Sequence, residues 1–276
     1  MSYTPVIPFS GYAGWKLLNR TMEMQKAAFT ASADIQRNED YFREKIGSIT
    51  TAKELVSDRR LLSVALGAFG LDDDINNKYF IQKVLEEGTL DTESLANKLS
   101  DKTYLKLSQA FGFGDYSVPR TALSDFADEI LEKYETREFE VAVGDSDNDL
   151  RLALAAQRDL SELASKSNSE NTKWYSIIGS ESLASVVRTA LGLPDSTSSL
   201  NVDQQITVYK NKAESVFGSS DPSEFSDANK VEKVIKLFLL RSQLENGAST
   251  GSGSAALQIL QSASSNPSAN ILSLLL

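Results

Sequence analysis

The 276-residue chain is 41% hydrophobic and 24% charged, a soluble globular composition with enough apolar mass for a sizeable core. It has neither cysteine nor histidine, which excludes disulfides, thiol nucleophiles, structural zinc of the usual kind and all imidazole chemistry. The net charge of −10 gathers in the second half, where residues 121–276 carry 13 basic and 22 acidic side chains against 15 and 16 in residues 1–120; such a surface repels phosphate backbones and anionic membranes, so the expected partner is a protein and not nucleic acid.

The first eleven residues, with Pro5 and Pro8, read as extended. No basic region precedes their apolar residues, so no signal peptide is expected, and no stretch reaches the roughly 20 apolar residues of a membrane span. A first helix is predicted from Gly11 to about Thr30, with Trp15, Leu18, Met22 and Phe29 at near-helical spacing. Asp34–Ile46 and Thr51–Val56 follow, then Ile75–Leu85 and a short turn over Thr92–Leu99. The clearest periodicity spans Ala122 to about Val143, where Leu123, Phe126, Ala127, Ile130, Leu131 and Tyr134 share one face. Helices are further predicted over Leu150–Ala164, Trp174–Ile178, Val202–Phe217 and Val231–Leu244. Few segments alternate with a period of two, so the fold class is all-α.

Three apolar runs end alike, in Ala68-Phe69-Gly70-Leu71, Ala110-Phe111-Gly112-Phe113 and Ala190-Leu191-Gly192-Leu193. A glycine in the left-handed conformation followed by an apolar side chain is a helix stop, so Gly70, Gly112 and Gly192 are assigned structural roles. They stand 42 and 80 residues apart, which suggests an irregular repeat. Candidate N-caps lie upstream at Ser57 or Asp58, at Ser100 or Asp101, and at Ser180. The pattern points to a compact helical domain over residues 1–245, built from duplicated helical hairpins.

Candidate chemistry is sparse. Val141-Ala142-Val143-Gly144-Asp145-Ser146-Asp147-Asn148-Asp149-Leu150 looks like the late acidic motif of haloacid-dehalogenase-type phosphatases, yet no Asp-x-Asp nucleophile loop follows an N-terminal strand. As a calcium loop it has Leu150 where glycine is required and Ala156 where a bidentate glutamate belongs. The segment is therefore read as an interhelical loop, with Asp147 or Asp149 capping the next helix. Asp72–Asp74 are read as acids complementing a helix N-terminus. Trp15 and Trp174 are read as core anchors. Gly11 and Gly14 lack the strand and third glycine of a dinucleotide fingerprint. No catalytic, cofactor or metal residue is assigned.

The ends are unlike the middle. Residues 1–15 and 246–276 hold no charge, and the second stretch runs from a Gly/Ser tether at Gly247–Ser254 to an apolar terminus with Ile271, Leu272, Leu274, Leu275 and Leu276. These five are the candidate partner-binding residues of a flexible tail, since an apolar end on a tether buries its face only against something else.

Thr4-Pro5-Val6-Ile7-Pro8, Gly11-Tyr12-Ala13-Gly14-Trp15, Asp58-Arg59-Arg60-Leu61-Leu62, Ala65-Leu66-Gly67-Ala68-Phe69-Gly70-Leu71, Phe80-Ile81-Gln82-Lys83-Val84-Leu85-Glu86 and Ala190-Leu191-Gly192-Leu193-Pro194 together resemble a bacterial family of uncharacterised helical proteins, domain of unknown function 1217. Its members are often called flagellar proteins because their genes lie among flagellar genes. The resemblance covers about residues 4–245 and implies an all-helical fold, a motility role and no catalytic residues. The function expected is a non-enzymatic structural, assembly or regulatory protein with a flagellar protein partner, cytoplasmic or flagellum-associated. The alternative is a carboxylate-based, divalent-metal-dependent hydrolase or ligand-binding protein centred on residues 145–149.

Overall fold

The computed structural model describes residues 3–248, and among these every regular element is helical. In chain order they are α1 (Gly11–Thr30), α2 (Ala33–Lys45), α3 (Ala52–Ser57), α4 (Arg59–Gly67), α5 (Lys78–Glu87), α6 (Leu95–Lys98), α7 (Thr103–Phe111), α8 (Phe126–Gly144), α9 (Asn148–Ser165), α10 (Glu170–Ile178), α11 (Glu181–Leu191), α12 (Val202–Phe217) and α13 (Ala228–Ala248), with short 3-10 turns between several of them. Where the sequence predicts a single domain over 1–245, the contacts divide the chain into two compact units. The first takes the residues up to Ile7 together with Leu17–Asn148, and the second takes Pro8–Lys16 together with the residues from Asp149 onward. The tail residues Ile271, Leu272, Leu274, Leu275 and Leu276 lie outside the described residues.

In the first unit α4 packs against α2, α3 and α8, and α5 against α3 and α7. Leu55, Leu61, Leu62, Leu66, Ile81, Val84, Leu85, Leu107, Phe111 and Ile130 are buried there. Phe111 meets Phe126 edge to face at 5.1 Å between ring centroids. In the second unit α11 lies along α13, and α10 packs against α11 and α12. Its core is anchored by Trp174, whose indole N–H donates to Ser220 O at 2.8 Å and whose ring meets Tyr209 edge to face at 5.9 Å.

Helix starts follow from side chains that reach back to free backbone N–H groups. Thr51 and Glu54 form a capping box on α3, as do Asn201 and Gln204 on α12. Of the two candidates before α4 the cap is Asp58, which accepts from Arg60 N and Leu61 N at 2.9 and 3.1 Å. Before α7, Asp101 accepts from Thr103 N at 2.8 Å. Ser180 stands at the N-cap of α11 without a side-chain bond to the helix.

Gly70, Gly112 and Gly192 have φ of +70°, +66° and +67°. Two closing patterns occur. After α4, Leu71 N bonds Leu66 O and Gly70 N bonds Gly67 O; after α11, Leu193 N bonds Arg188 O and Gly192 N bonds Thr189 O. Both pairs are Schellman motifs. Gly112 N instead makes the single bond to Ser108 O of the simpler left-handed cap, and Gly218, with φ +80°, closes α12 the same way on Glu214 O.

Two predicted starts shift. Helix α8 begins at Phe126 and not at Ala122, because Arg120–Ala122 forms a 3-10 turn behind Pro119, held by Thr121 Oγ1 donating to Ile49 O at 2.6 Å. Leu123 is consequently extended and 52% exposed, off the core face where its spacing placed it. Asp72–Asp74 likewise build a 3-10 turn over Asp72–Asn76 and do not cap α5, whose N-cap position is Asn77.

Candidate functional site

Helices α5 and α7 of the first unit are tied side by side. Ser108 Oγ donates to Val84 O at 3.0 Å, the Phe80 and Tyr104 rings meet edge to face at 5.2 Å, and Tyr104 Oη donates to Asp74. The loops leaving their C-termini are therefore brought together, and glycine lets them touch backbone to backbone. A Cβ on Gly114 would lie 2.4 Å from Glu86 O and from Gly88 N, and one on Gly88 would lie 2.4 Å from Asp115 Oδ1. Asp115 closes the arrangement by accepting from Thr89 N, from Thr89 Oγ1 at 2.9 Å and from Leu90 N at 3.1 Å. From the far side, Asn97 Nδ2 donates to Thr89 O and Asp91 O at 2.9 and 2.8 Å.

This braced loop pair holds apolar side chains in solvent. Leu90 is 74% exposed, Tyr116 54% and Val118 67%. The Leu90 N–H is bound to Asp115, and Tyr116 Cδ2 lies 2.7 Å from where a Cβ on Gly112 would be. Ordered loops with exposed bulky hydrophobes have little conformational entropy left to lose on binding, which makes this pair the candidate contact surface.

A second constellation fixes the start of α1 in the second unit. The Glu232 carboxylate accepts from Tyr12 Oη, Trp15 Nε1 and Lys16 Nζ, each at 2.9 Å. Burial pushes the Glu232 carboxyl up, but the bonds from Trp15, Lys16 and Tyr12 outweigh it and hold the group below its ordinary value. Gly11 (φ +62°) sits against the Gln243 side chain, and a Cβ on Gly14 would fall 2.0 Å from Phe9 O. The Gly11-Tyr12-Ala13-Gly14-Trp15 segment is thus a clasp, and Trp15 is fully buried as an anchor, as is Trp174.

A third group is acidic and lies in the first unit. Glu39 on α2 is buried, and its carboxyl is pushed up to about 7 by burial and by the Glu135 carboxylate on α8. Its Oε2 accepts from Gln36 at 3.2 Å, while Oε1 receives no hydrogen bond. Arg43 opposes the shift and is itself paired with Asp128. Glu138 is pushed up to about 7 by burial and by Asp72, and both carboxyls stand close to Gly67 at the C-terminus of α4.

Asp145 and Asp147 lie in the turn that ends α8, and Asp149 lies in the first turn of α9. Asp145 N and Asp147 N bond Val141 O and Val143 O at 3.0 and 2.9 Å, and Asp149 accepts from Ser242 Oγ. Among the described residues no three His, Cys, Asp or Glu side chains are arranged to hold a metal ion, and no helix is long and apolar enough to cross a membrane.

Of the helix-stop glycines found in the sequence, Gly112 adjoins the loop pair without forming it, whereas Gly70 closes α4 against Arg137 and Gly192 closes α11 against Arg241. Gly88, Gly114 and Asp115 form the pair, and the visible signal was a second glycine two residues after the first in Gly112-Phe113-Gly114-Asp115.

Fold and site together define an all-α protein with a rigid, solvent-facing apolar loop surface. The chain belongs to the family described as protein of unknown function (DUF1217), whose sequence model matches residues 68–231. It is also similar to an Agrobacterium tumefaciens protein whose X-ray crystal structure comes from a structural-genomics programme, at 26% identity and a TM-score of 0.72, with 88% of this chain and 99% of that chain covered. No curated protein matches it.

Proposed function

We propose that this protein is a non-enzymatic, flagellum-associated component, structural, assembly-related or regulatory, that acts through protein contacts, in the cytoplasm or at the flagellum. The observation that carries the reading is the braced loop pair. Glycines 88 and 114 and the Asp115 bonds fix its geometry, yet Leu90, Tyr116 and Val118 are left in solvent. A fold that orders a loop this tightly and leaves Leu90, Tyr116 and Val118 uncovered is suited to burying them against a partner. The resemblance to a family whose members are often called flagellar proteins supplies the motility half of the proposal.

Paired Leu90→Asp and Tyr116→Asp substitutions test it, since both side chains are exposed and neither contributes to the core. Swimming should be lost while the far-ultraviolet circular dichroism stays that of the wild type. Wild-type swimming by both variants would defeat the reading. The alternative, a metal-dependent hydrolase or ligand-binding protein around residues 145–149, is separated from it by calorimetric titration with magnesium and calcium. Micromolar binding abolished by Asp147→Ala would favour that alternative.

A further inference from the structure

Helix α2 carries a carboxyl in the middle of its buried face. The residues it buries are Ile35, Glu39 and Phe42, at i, i+4 and i+7, and Glu39 is 6% exposed. Two bonds tie this stretch to α8: Asn38 Nδ2 donates to Tyr134 Oη at 3.0 Å, and Arg43 pairs with Asp128. The partners descend on α8 as they ascend on α2, so the two helices run antiparallel here, and Glu39 interacts with Glu135, the residue after Tyr134. Glu39 Oε2 takes the Gln36 amide, but Oε1 receives no hydrogen bond, and the group across the joint is a second acceptor. Two carboxyls in this position make a hydrogen bond only with one proton between them. We infer that Glu39 and Glu135 bind a shared proton, the O–H of one donating to the other, and that this proton fastens α2 to α8 and releases it when lost to solvent.

The surrounding charges leave the pair to a proton. On α2 itself Arg43 favours ionised Glu39 but is committed to Asp128, and Asp40 opposes it. From α8 the facing groups are Glu135 and the Tyr134 hydroxyl. On α4, which also packs against α2, the charged residues are Arg59 and Arg60, and these engage Asn76 and the Tyr41 ring. The turn Ile46–Ser48 has no charge, and Lys26 of α1 donates to Thr136. Among the described residues no three acidic side chains are arranged to hold a metal ion. The direction of the switch follows from the Glu39 carboxyl, which burial and Glu135 push up to about 7. Its neutral form is complete below about 4.5 and is lost as pH rises through about 7. Two carboxylates then oppose each other, one of them in the apolar face of a helix whose other buried residues are Ile35 and Phe42. A helix held by so few apolar contacts opens locally, without global unfolding.

Full-length chain isotopically labelled at its glutamate carboxyl carbons reads the pair by nuclear magnetic resonance, the Glu39 signal being the one missing from Glu39→Gln. Its midpoint should lie near 7 in the wild type and fall by at least about one pH unit in Glu135→Gln, where the opposing charge is gone. Amide exchange along α2, corrected for the intrinsic rate, should be at least tenfold faster at pH 8 than at pH 5 in the wild type, and Glu39→Gln should abolish that difference. Glu138 titrates in the same range, so Glu138→Gln is the control that should leave the α2 difference in place. A Glu39 midpoint in the ordinary glutamate range, a midpoint that Glu135→Gln leaves unchanged, or an exchange difference that survives Glu39→Gln or vanishes in Glu138→Gln would overturn the inference.

Discussion

Gly192→Ala and Gly218→Ala form a matched pair that separates backbone strain from lost contacts. Both glycines close a helix with positive φ, +67° and +80°. An alanine at either site is strained by about 1–2 kcal/mol in the left-handed region. At Gly218 nothing lies within 4 Å of the new Cβ, so that strain is the whole effect. At Gly192 the Cβ would stand 2.9 Å from Cζ and Nη1 of Arg241, whose guanidinium donates to Thr189 O at 3.2 Å and to Ala190 O. Arg241 must swing away, releasing two carbonyls at the negative end of α11 from a charged donor, which adds about 1–2 kcal/mol. Gly192→Ala should therefore cost about 2–4 kcal/mol and Gly218→Ala about 1–2 kcal/mol. Equilibrium urea unfolding of both variants against the wild type measures the difference. Equal losses would refute the role given to Arg241, and no loss at either site would refute the left-handed cap itself.

Other perturbations read other parts of the structure. Glu39 has a raised carboxyl value in the folded state, so its neutral form stabilises fully below about 4.5 and that contribution disappears as pH rises toward 7; Glu39→Gln should thus raise the unfolding free energy from urea titration at pH 8, by on the order of 1–3 kcal/mol, and do little at pH 5. A gain independent of pH would contradict the assignment. Glu232→Ala leaves the buried Trp15 indole N–H without an acceptor and should cost about 2–3 kcal/mol, whereas Glu232→Gln, which keeps a carbonyl, should cost less; equal costs would count against the clasp. Gly114→Ala should force the loops apart, since its Cβ meets Glu86 O and Gly88 N, and should accelerate amide exchange at Thr89 and Leu90; unchanged exchange would show that Asp115 holds them without the close approach.

Much of the helical fold could be read from side-chain periodicity. Gly11–Thr30, Glu181–Leu191 and Val202–Phe217 coincide with predicted helices because each has both an apolar face and a start or stop encoded locally. The misreadings arise where a distant partner decides. Leu123 fits the α8 periodicity perfectly well, but Thr121 is committed to Ile49 O, 72 residues away, and the helix starts later. Gly218 escaped notice because Ser219, a polar residue, follows it, although its cap geometry matches that of Gly112. Gly11 and Gly14 looked like a broken phosphate loop and are instead positions where Gln243 and the Phe9 carbonyl leave no room for a Cβ. In the loop pair only Gly114, a second glycine after Gly112, carries a local signal; the pairing itself is set by Asp115 reaching Thr89 across 26 residues, and nothing in either loop announces the other.

The contact role is tested most directly by affinity capture from motile cells, split into cytoplasmic and filament or basal-body fractions, with full-length wild type and Leu90→Asp/Tyr116→Asp baits at equal expression. Flagellar proteins should be retained by the wild type and depleted at least tenfold on the variant bait. Flagellar proteins held equally by both baits, or held by neither, would contradict the account.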